Sequence, residues 1–154
     1  MHTKIQDIDL SKLCEIDIEI SPSNPFENLQ YLQAMEESKS AAENTGWIPS
    51  HLGELDNGKL KSFLPLYKKF NSYGEFIFDH QWANALQHTG RNYYPKLLTA
   101  IPFTPCEGDR VLGGNEEQKI NLIDSCIKCL EEEQIESWHI LFPNDAGKKI
   151  FRSQ

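Results

Sequence analysis

Residues 51–70 read HLGELDNGKLKSFLPLYKKF, and the middle of this stretch predicts a β-hairpin. Asn57–Gly58 is the dipeptide that a tight type I′ turn favours, because both central residues of that turn have positive φ. The flanking strands are predicted over residues 50–55 and 59–70. Proline has no backbone N–H for a β-ladder, so Pro65 predicts that the second strand is kinked or lies at a sheet edge.

Upstream of the hairpin the pattern predicts a strand and a helix. Residues 3–8 alternate polar and apolar side chains as a short strand does, whereas residues 11–20 fit a helix or a strand. Asn24 suits the cap of a helix and Pro25 its first position. From Phe26 onward, apolar residues recur at the spacing of an amphipathic helix.

Downstream of the hairpin, helices and strands alternate. A hairpin followed by such units predicts a mixed α/β fold, in which a mixed antiparallel and parallel sheet is flanked by helices. With 154 residues, the expectation is a single domain over residues 1–154. The predicted elements are a helix over 75–88, a strand over 94–101, a loop over 102–114, a helix over 115–133, a strand over 137–142 and a helix from 144.

Composition excludes several classes of protein. The chain has 39% hydrophobic and 25% charged residues, a globular balance, and a net charge of −8, which argues against general nucleic-acid binding. No apolar run approaches the roughly 20 residues of a membrane span. The N-terminus lacks the apolar centre of a signal peptide, so a cytoplasmic location is expected.

Two of the four cysteines form a CxxC motif in the middle of a predicted helix. Cys126 and Cys129 share one helical face there, where cysteine behaves as a small apolar residue. Zinc would need two further ligands, and His139 is the only candidate ligand nearby in sequence. Redox CxxC motifs stand at helix N-termini. Core packing is therefore favoured over a metal or redox role, and no metal site is predicted.

The stretch from 71 to 114 is rich in aromatic and charged residues. Aromatic side chains interleaved with fixed polar groups are typical of ligand clefts, although a helix that packs its aromatic residues on a sheet gives the same pattern. Its last part, PFTPCEGDRVLGG, joins a strand to a helix, where backbone amides and Arg110 suit a phosphate. It lacks the GxGxxG and GxxxxGK[ST] motifs. GxSxG and HExxH are absent from the chain, and no histidine can be assigned as a base for Cys106.

Several segments resemble, in order, the FemAB-like branch of the GNAT superfamily, whose members are described under peptidoglycan biosynthesis and recognition. They are NPFENLQYLQAMEES, TGWIPSHLGEL, LPLYKKFNSYGEFIFDHQWANAL, YYPKLLTAIPFTPCEGDRVL and SWHILFP. The resemblance implies a GNAT-like acyl-CoA N-acyltransferase fold with a V-shaped cleft, and transfer of an acyl or aminoacyl group to an amine. The implied donors are acyl-CoA or aminoacyl-tRNA, with no tightly bound cofactor, and the implied acceptor is an amine such as that of a cell-wall precursor.

Two departures from the family pattern bear on these expectations. The Gln/Arg-x-x-Gly-x-Gly/Ala loop that holds the pyrophosphate of acyl-CoA in GNAT enzymes is absent. Family members also continue into a second half, so the chain is expected to be an N-terminal half-domain that is inactive alone. An exposed apolar edge is then expected near the strand over residues 137–142 and the terminal helix. A non-catalytic recognition module and an inactive fragment remain the alternatives to an acyltransferase.

Chemical roles follow for the residues of the matching segments. Glu75 and Asp79 lie four apart, share a face with Trp82 if the segment is helical, and are the candidate catalytic groups that bind or deprotonate an amine. One of them is expected to meet Lys96 or Arg110. The candidate substrate-binding residues are Tyr73, Trp82, Tyr93 and Tyr94 as cleft walls, and Lys96 and Arg110 for an anionic group.

Overall fold

The computed structural model describes residues 3–22, 24–77 and 79–152 as two mixed β-sheets flanked by helices. The strands are β1 Thr3–Asp7, β2 Asp17–Ile18, β3 Ile48–Pro49, β4 Leu52–Asp56, β5 Lys59–Leu64, β6 Tyr67–Lys69, β7 Lys96–Thr99, β8 Leu112–Gly113 and β9 Trp138–Ile140. The α-helices are α1 Leu29–Glu37, α2 His80–His88, α3 Glu116–Glu132 and α4 Asp145–Arg152. The predicted mixed α/β class is therefore confirmed, although the strands form two sheets.

The predicted hairpin forms the centre of the first sheet. Strands β4 and β5 pair antiparallel, with Asp56 opposite Lys59, and both turn residues have positive φ, 51° at Asn57 and 81° at Gly58. On the far side of β4, β1 pairs antiparallel. The other side of β5 holds β2 in parallel and β8 antiparallel. The segment that fits a helix or a strand by sequence, residues 11–20, thus supplies the short strand β2, and β8 forms at the end of the predicted loop 102–114.

Asn57→Ala is expected to destabilise the protein by about 1 kcal/mol. Alanine pays about 1–2 kcal/mol to occupy the left-handed region, which asparagine tolerates better. Urea denaturation of the variant and the wild type measures the difference. Asn57→Gly is the control, because glycine reaches positive φ without that penalty. An alanine variant as stable as the glycine variant would contradict the assigned turn.

The second sheet exists because Pro65 divides the predicted strand over residues 59–70. β5 ends at Leu64 and β6 begins at Tyr67, on the other side of the proline. Strand β6 then pairs antiparallel with both β3 and β7, and β7 pairs in parallel with β9. A residue without an amide hydrogen ends one ladder and lets the chain enter the next sheet. The expected kink is confirmed.

Most predicted helices form, with shifted ends. Helix α3 begins with a capping box, in which Asn115 accepts from the Gln118 amide and the Gln118 side chain accepts from the Asn115 amide. Helix α1 begins only at Leu29, capped by Asn28, after a 3₁₀ turn that Asn24 caps. Helix α2 begins at His80, so the prediction of a helix from residue 75 is wrong at residues 75–77 and 79, while Phe78 lies outside the described residues.

The CxxC motif lies on α3, as predicted. Cys126 is buried in a core cluster beneath the helix, and burial raises the pKa of its thiol. Cys129 is half-buried, and both cysteines are free thiols. A raised thiol pKa disfavours the reactive thiolate, which is consistent with a packing role for Cys126.

Candidate functional site

Lys96 lies at the centre of a buried charge cluster at the start of β7. Its Nζ atom donates to Glu75 Oε2 at 2.7 Å, to Asp79 Oδ2 at 2.7 Å and to Ser72 Oγ at 2.9 Å. The side chains of Lys96 and Glu75 are 0% and 1% exposed and that of Asp79 is 4% exposed. The expectation that a cation meets one of the two carboxylates is confirmed, and Lys96 meets both.

Two tyrosines extend this network through hydroxyl groups. Tyr93 donates to Asp79 Oδ2 at 2.6 Å, and Ser72 Oγ donates to the same oxygen at 2.8 Å. The hydroxyl of Tyr94 lies 2.7 Å from Ser72 Oγ. The structure therefore brings together Glu75, Asp79, Tyr93, Tyr94 and Lys96 from the sequence-based set.

A second buried lysine reaches the cluster from the neighbouring strand. Lys69 in β6 stands directly opposite Lys96 in the β6–β7 ladder, and its side chain is completely buried. Its Nζ donates to the Tyr73 carbonyl at 3.0 Å, lies 3.8 Å from the centre of the Trp47 ring, and is 3.9 Å from Glu75 Oε1. The Tyr73 carbonyl also accepts from Trp47 Nε1 at 3.1 Å.

These ion pairs explain why the segment before α2 is not helical. The carboxylates of Glu75 and Asp79 both turn inward to a lysine on the sheet, and the described residues from 71 to 79 are not helical. Gly74 and Phe76 have φ of 77° and 58°, which a right-handed helix does not allow. A Cβ on Gly74 would lie 2.5 Å from the Phe103 ring, so only glycine fits there. The tertiary pairing of charges overrides the helical spacing in the sequence.

The cluster moves the pKa values of its two carboxylates in opposite directions. Burial raises the pKa of Glu75, although Lys96 opposes this. Burial acts in the same direction on Asp79, but hydrogen bonds from Lys96, Tyr93 and Ser72 outweigh it and lower the pKa to about 2. Burial lowers the pKa of Lys69 to about 8. Carboxylates with divergent pKa values are a common feature of acid–base sites.

Each carboxylate keeps one oxygen free of donors. Within the described residues, no hydrogen-bond donor reaches Glu75 Oε1 or Asp79 Oδ1, and both oxygens are buried. A buried acceptor without a donor costs about 1–3 kcal/mol, so folded proteins rarely keep one without a reason. The two oxygens are the positions in this cluster at which a bound group could donate hydrogen bonds.

Exposed aromatic side chains lie on and near the segment that carries Glu75 and Asp79. Tyr73 and Trp82 are 73% and 69% exposed, and Phe76 and Phe103 are also exposed. Tyr73 therefore contributes its carbonyl to the cluster and leaves its ring in solvent. Trp82 does not share a buried helical face with Glu75 and Asp79, and that prediction is wrong because α2 starts after both carboxylates.

An apolar edge was expected elsewhere, near residues 137–142. There β9 is the outer strand of its sheet within the described residues, but Trp138 is half-buried and packs edge-on against Phe151 at 5.6 Å. Half of the large exposed apolar side chains of the described residues lie between residues 73 and 82, and none lies within 137–142. The exposed apolar surface that could contact a partner or ligand is therefore the one formed by residues 73–82, beside the charge cluster.

Arg110 belongs to a different buried network. Its guanidinium donates to Glu27 Oε1 at 2.9 Å, to the Leu141 carbonyl at 2.7 Å and to the Cys106 carbonyl. It is completely buried, and these contacts hold the loop before β8 against the turn before α1 and the end of β9. The proposed use of this arginine for an anionic ligand gains no support from its contacts.

Sequence reasoning missed Ser72 and Lys69. Serine carries too little sequence signal to be singled out without its partners. For Lys69 a signal existed, because Lys68 and Lys69 are adjacent in a strand and must point to opposite faces of the sheet. One of the two lysines therefore had to face inward, and a buried lysine requires a carboxylate partner.

None of the helices in the part of the chain that the structure describes combines the length and apolar character that crossing a bilayer demands. A family model described as FemAB-like, peptidoglycan biosynthesis/recognition, matches residues 4–154. No curated protein and no solved structure matches the chain. Because the family model covers nearly the whole sequence, the chain belongs to the FemAB-like family of peptidoglycan biosynthesis and recognition.

Proposed function

We propose that the protein is an N-acyltransferase-like domain that binds an amine acceptor at the Glu75–Asp79–Lys96 cluster and supports transfer of an acyl or aminoacyl group to it. The observation that carries this proposal is the pair of buried carboxylate oxygens without donors, Glu75 Oε1 and Asp79 Oδ1. An amine supplies N–H donors of the kind that these oxygens lack. The family assignment supports a role in peptidoglycan metabolism.

The two carboxylates would have different roles. Burial raises the pKa of Glu75, which makes it the better proton acceptor of the two carboxylates and suits it to act as a general base. Asp79 stays ionised and accepts from Lys96, Tyr93 and Ser72 at one oxygen, which suits it to position the network. In the transfer step the amine nitrogen bonds to the acyl carbon, the C–O or C–S bond of the donor breaks, and the amine proton passes to Glu75. Glu75 then returns it to the leaving oxygen or sulfur.

Access to the cluster requires local movement, because both unpaired oxygens are buried. They belong to carboxylates at positions 75 and 79, in the segment that precedes α2. This segment contains Gly74 at positive φ and exposes Phe76 on its outer side. We therefore expect the acceptor to enter past the exposed aromatic side chains of this segment, while Glu75 and Asp79 keep their hydrogen bonds from Lys96.

A recognition module is the second candidate function. The observation that favours it is the exposure of Tyr73, Phe76 and Trp82, which lie in sequence next to Glu75 and Asp79 of the charge cluster. Aromatic side chains that remain exposed are typical of binding surfaces. In this case the protein would bind a cell-wall peptide or a protein partner and transfer nothing.

Mass spectrometry of reactions with candidate acyl-CoA or aminoacyl-tRNA donors and amine acceptors separates these functions. We expect an acylated amine from the wild type, and a rate about 10²–10⁴-fold lower from Glu75→Gln, the size typical of a lost general base. Glu136→Gln is the matched control, since Glu136 pairs with Arg91 at the surface. Binding of an acceptor without product would favour recognition. Equal rates for the two variants would refute the role of Glu75.

A further inference from the structure

Two buried lysines face each other across one pair of strands, which is an uncommon arrangement. Lys69 and Lys96 are direct partners in the β6–β7 ladder, and like charges in that position destabilise a sheet. Glu75 compensates, because its Oε2 accepts from Lys96 at 2.7 Å while its Oε1 lies 3.9 Å from Lys69. With Asp79 included, the cluster holds two positive and two negative side chains when all are ionised.

The hydrogen-bonding capacity of the two lysines is used unequally. Lys96 directs its donors to Glu75, Asp79 and Ser72. Lys69 has one such bond, to the Tyr73 carbonyl, and otherwise lies over the Trp47 ring. The 3.9 Å to Glu75 Oε1 is longer than a hydrogen bond. Lys69 Nζ, a donor, and Glu75 Oε1, an acceptor, therefore lie close together without a hydrogen bond between them.

We propose that Lys69 and Glu75 together bind a neutral group that both donates and accepts a hydrogen bond, a free-base amine or a hydroxyl, and that they reject an ammonium. This inference rests on the proposed function and adds the protonation state of the acceptor. A neutral amine or a hydroxyl can donate to Glu75 Oε1 and accept from Lys69 Nζ. Lys69 is thereby a specificity-determining residue of the site.

An ammonium group does not fit this position, for two reasons. It has no lone pair to accept from Lys69, and it would add a third positive charge to a buried cluster that is already balanced. The acyl acceptor must be neutral to attack a carbonyl carbon, so a site that admits only the neutral form selects the protonation state that can react. The single lone pair of an amine leaves its hydrogen bond with Lys69 before it attacks. The other titratable groups around the position are Asp79, Tyr93, Tyr94 and Lys96, together with His139, whose ring packs against Tyr93 and whose pKa is lowered by burial and by Lys96.

Benzylamine and benzyl alcohol test this selection, because they share a ring and differ in the group that ionises. Binding is followed by NMR at the backbone amides of Gly74 and Glu75, between about pH 6 and pH 7.5, where Lys69 with its pKa of about 8 stays largely charged. In the wild type we expect the affinity for total benzylamine to rise about tenfold per pH unit, as its free-base fraction does. The affinity for benzyl alcohol should change little.

Lys69→Met removes the charge and keeps much of the side-chain volume. Its affinity for benzylamine at about pH 6 should rise about tenfold, and the pH dependence should be lost, because an ammonium then meets an excess of negative charge. Lys68→Met is the matched control, since Lys68 pairs with Glu133 on the outer side of the same strand, and it should behave as the wild type.

The outcomes separate this inference from the function on which it rests. If wild-type protein binds benzylamine as well or better at the lower pH, the selection for a neutral group is wrong while the amine site stands. If neither compound shifts the Gly74 and Glu75 amides, the proposed acceptor site falls and this inference with it. The wild-type comparison of the two compounds decides the matter even if Lys69→Met does not fold.

Discussion

Lys96→Met should lower the free energy of unfolding by about 3–5 kcal/mol, the cost typical of removing one partner from a buried ion pair. The substitution leaves the carboxylates of Glu75 and Asp79 buried without their cation, and Ser72 loses a donor. Methionine fills a similar volume, so the loss reports the charge and hydrogen bonds more than a cavity. Urea denaturation at neutral pH measures it.

Arg91→Met is the matched control for that experiment. Arg91 is also paired with a carboxylate, that of Glu136 at 2.9 Å, but its side chain is 64% exposed. Exposed ion pairs contribute about 0–1 kcal/mol, so the control should stay within that range. A Lys96→Met variant that loses no more than the control would show that Glu75 and Asp79 do not depend on a buried cation.

Arg110→Met should produce a loss of similar size, about 3–5 kcal/mol, for a structural reason. Arg110 is the cation of Glu27, and its other donors hold the carbonyls of Leu141 and Cys106. Gly108 packs so closely here that a Cβ would lie 2.0 Å from Glu27 Oε1, which leaves no room for a ligand on that side. The double variant Glu27→Leu with Arg110→Met should recover most of the loss, because no buried charge is then left unpaired.

The loss in Arg110→Met should also depend on pH. Burial raises the pKa of Glu27 to about 7, and Arg110 is the main group that opposes this. Without the arginine, the pKa of Glu27 in the folded state should rise still further above its value in the unfolded chain. Protonation therefore relieves the variant at a higher pH than it relieves the wild type, and the unfolded state is common to both, so the loss should shrink as pH falls from the alkaline side through about 7. A loss that is constant over this range would indicate that packing, and not the charge of Glu27, sets it.

The two networks differ in what surrounds them, and this difference guides the functional assignment. Both contain buried ion pairs, and both contain a carboxylate oxygen without a donor. The Arg110 network lies among the loop before β8, the turn before α1 and the end of β9, which it holds together. The Lys96 network lies under a segment with exposed aromatic side chains and an irregular backbone. Buried charge under such a segment is the arrangement that suits a ligand.

Local sequence determined the elements whose signals lie within a few residues of one another. The Asn57–Gly58 turn formed as predicted because only particular residues tolerate its backbone angles. Helix α3 formed because its cap and its apolar spacing agree. Pro65 marked the end of β5 for the same kind of local reason, the missing amide hydrogen.

The tertiary structure decided where buried charges found their partners. Sequence spacing predicted that Glu75 and Asp79 lie on a helix. In the structure both carboxylates pair with Lys96, 21 and 17 residues away, and neither residue is helical. Arg110 pairs with Glu27, 83 residues away, and is therefore not part of the Glu75–Asp79–Lys96 cluster. Burial makes an unpaired charge so costly that pairing overrides the local preference for a helix. Because such pairs join distant parts of the chain, Lys69 entered the site only once β6 and β7 lay side by side.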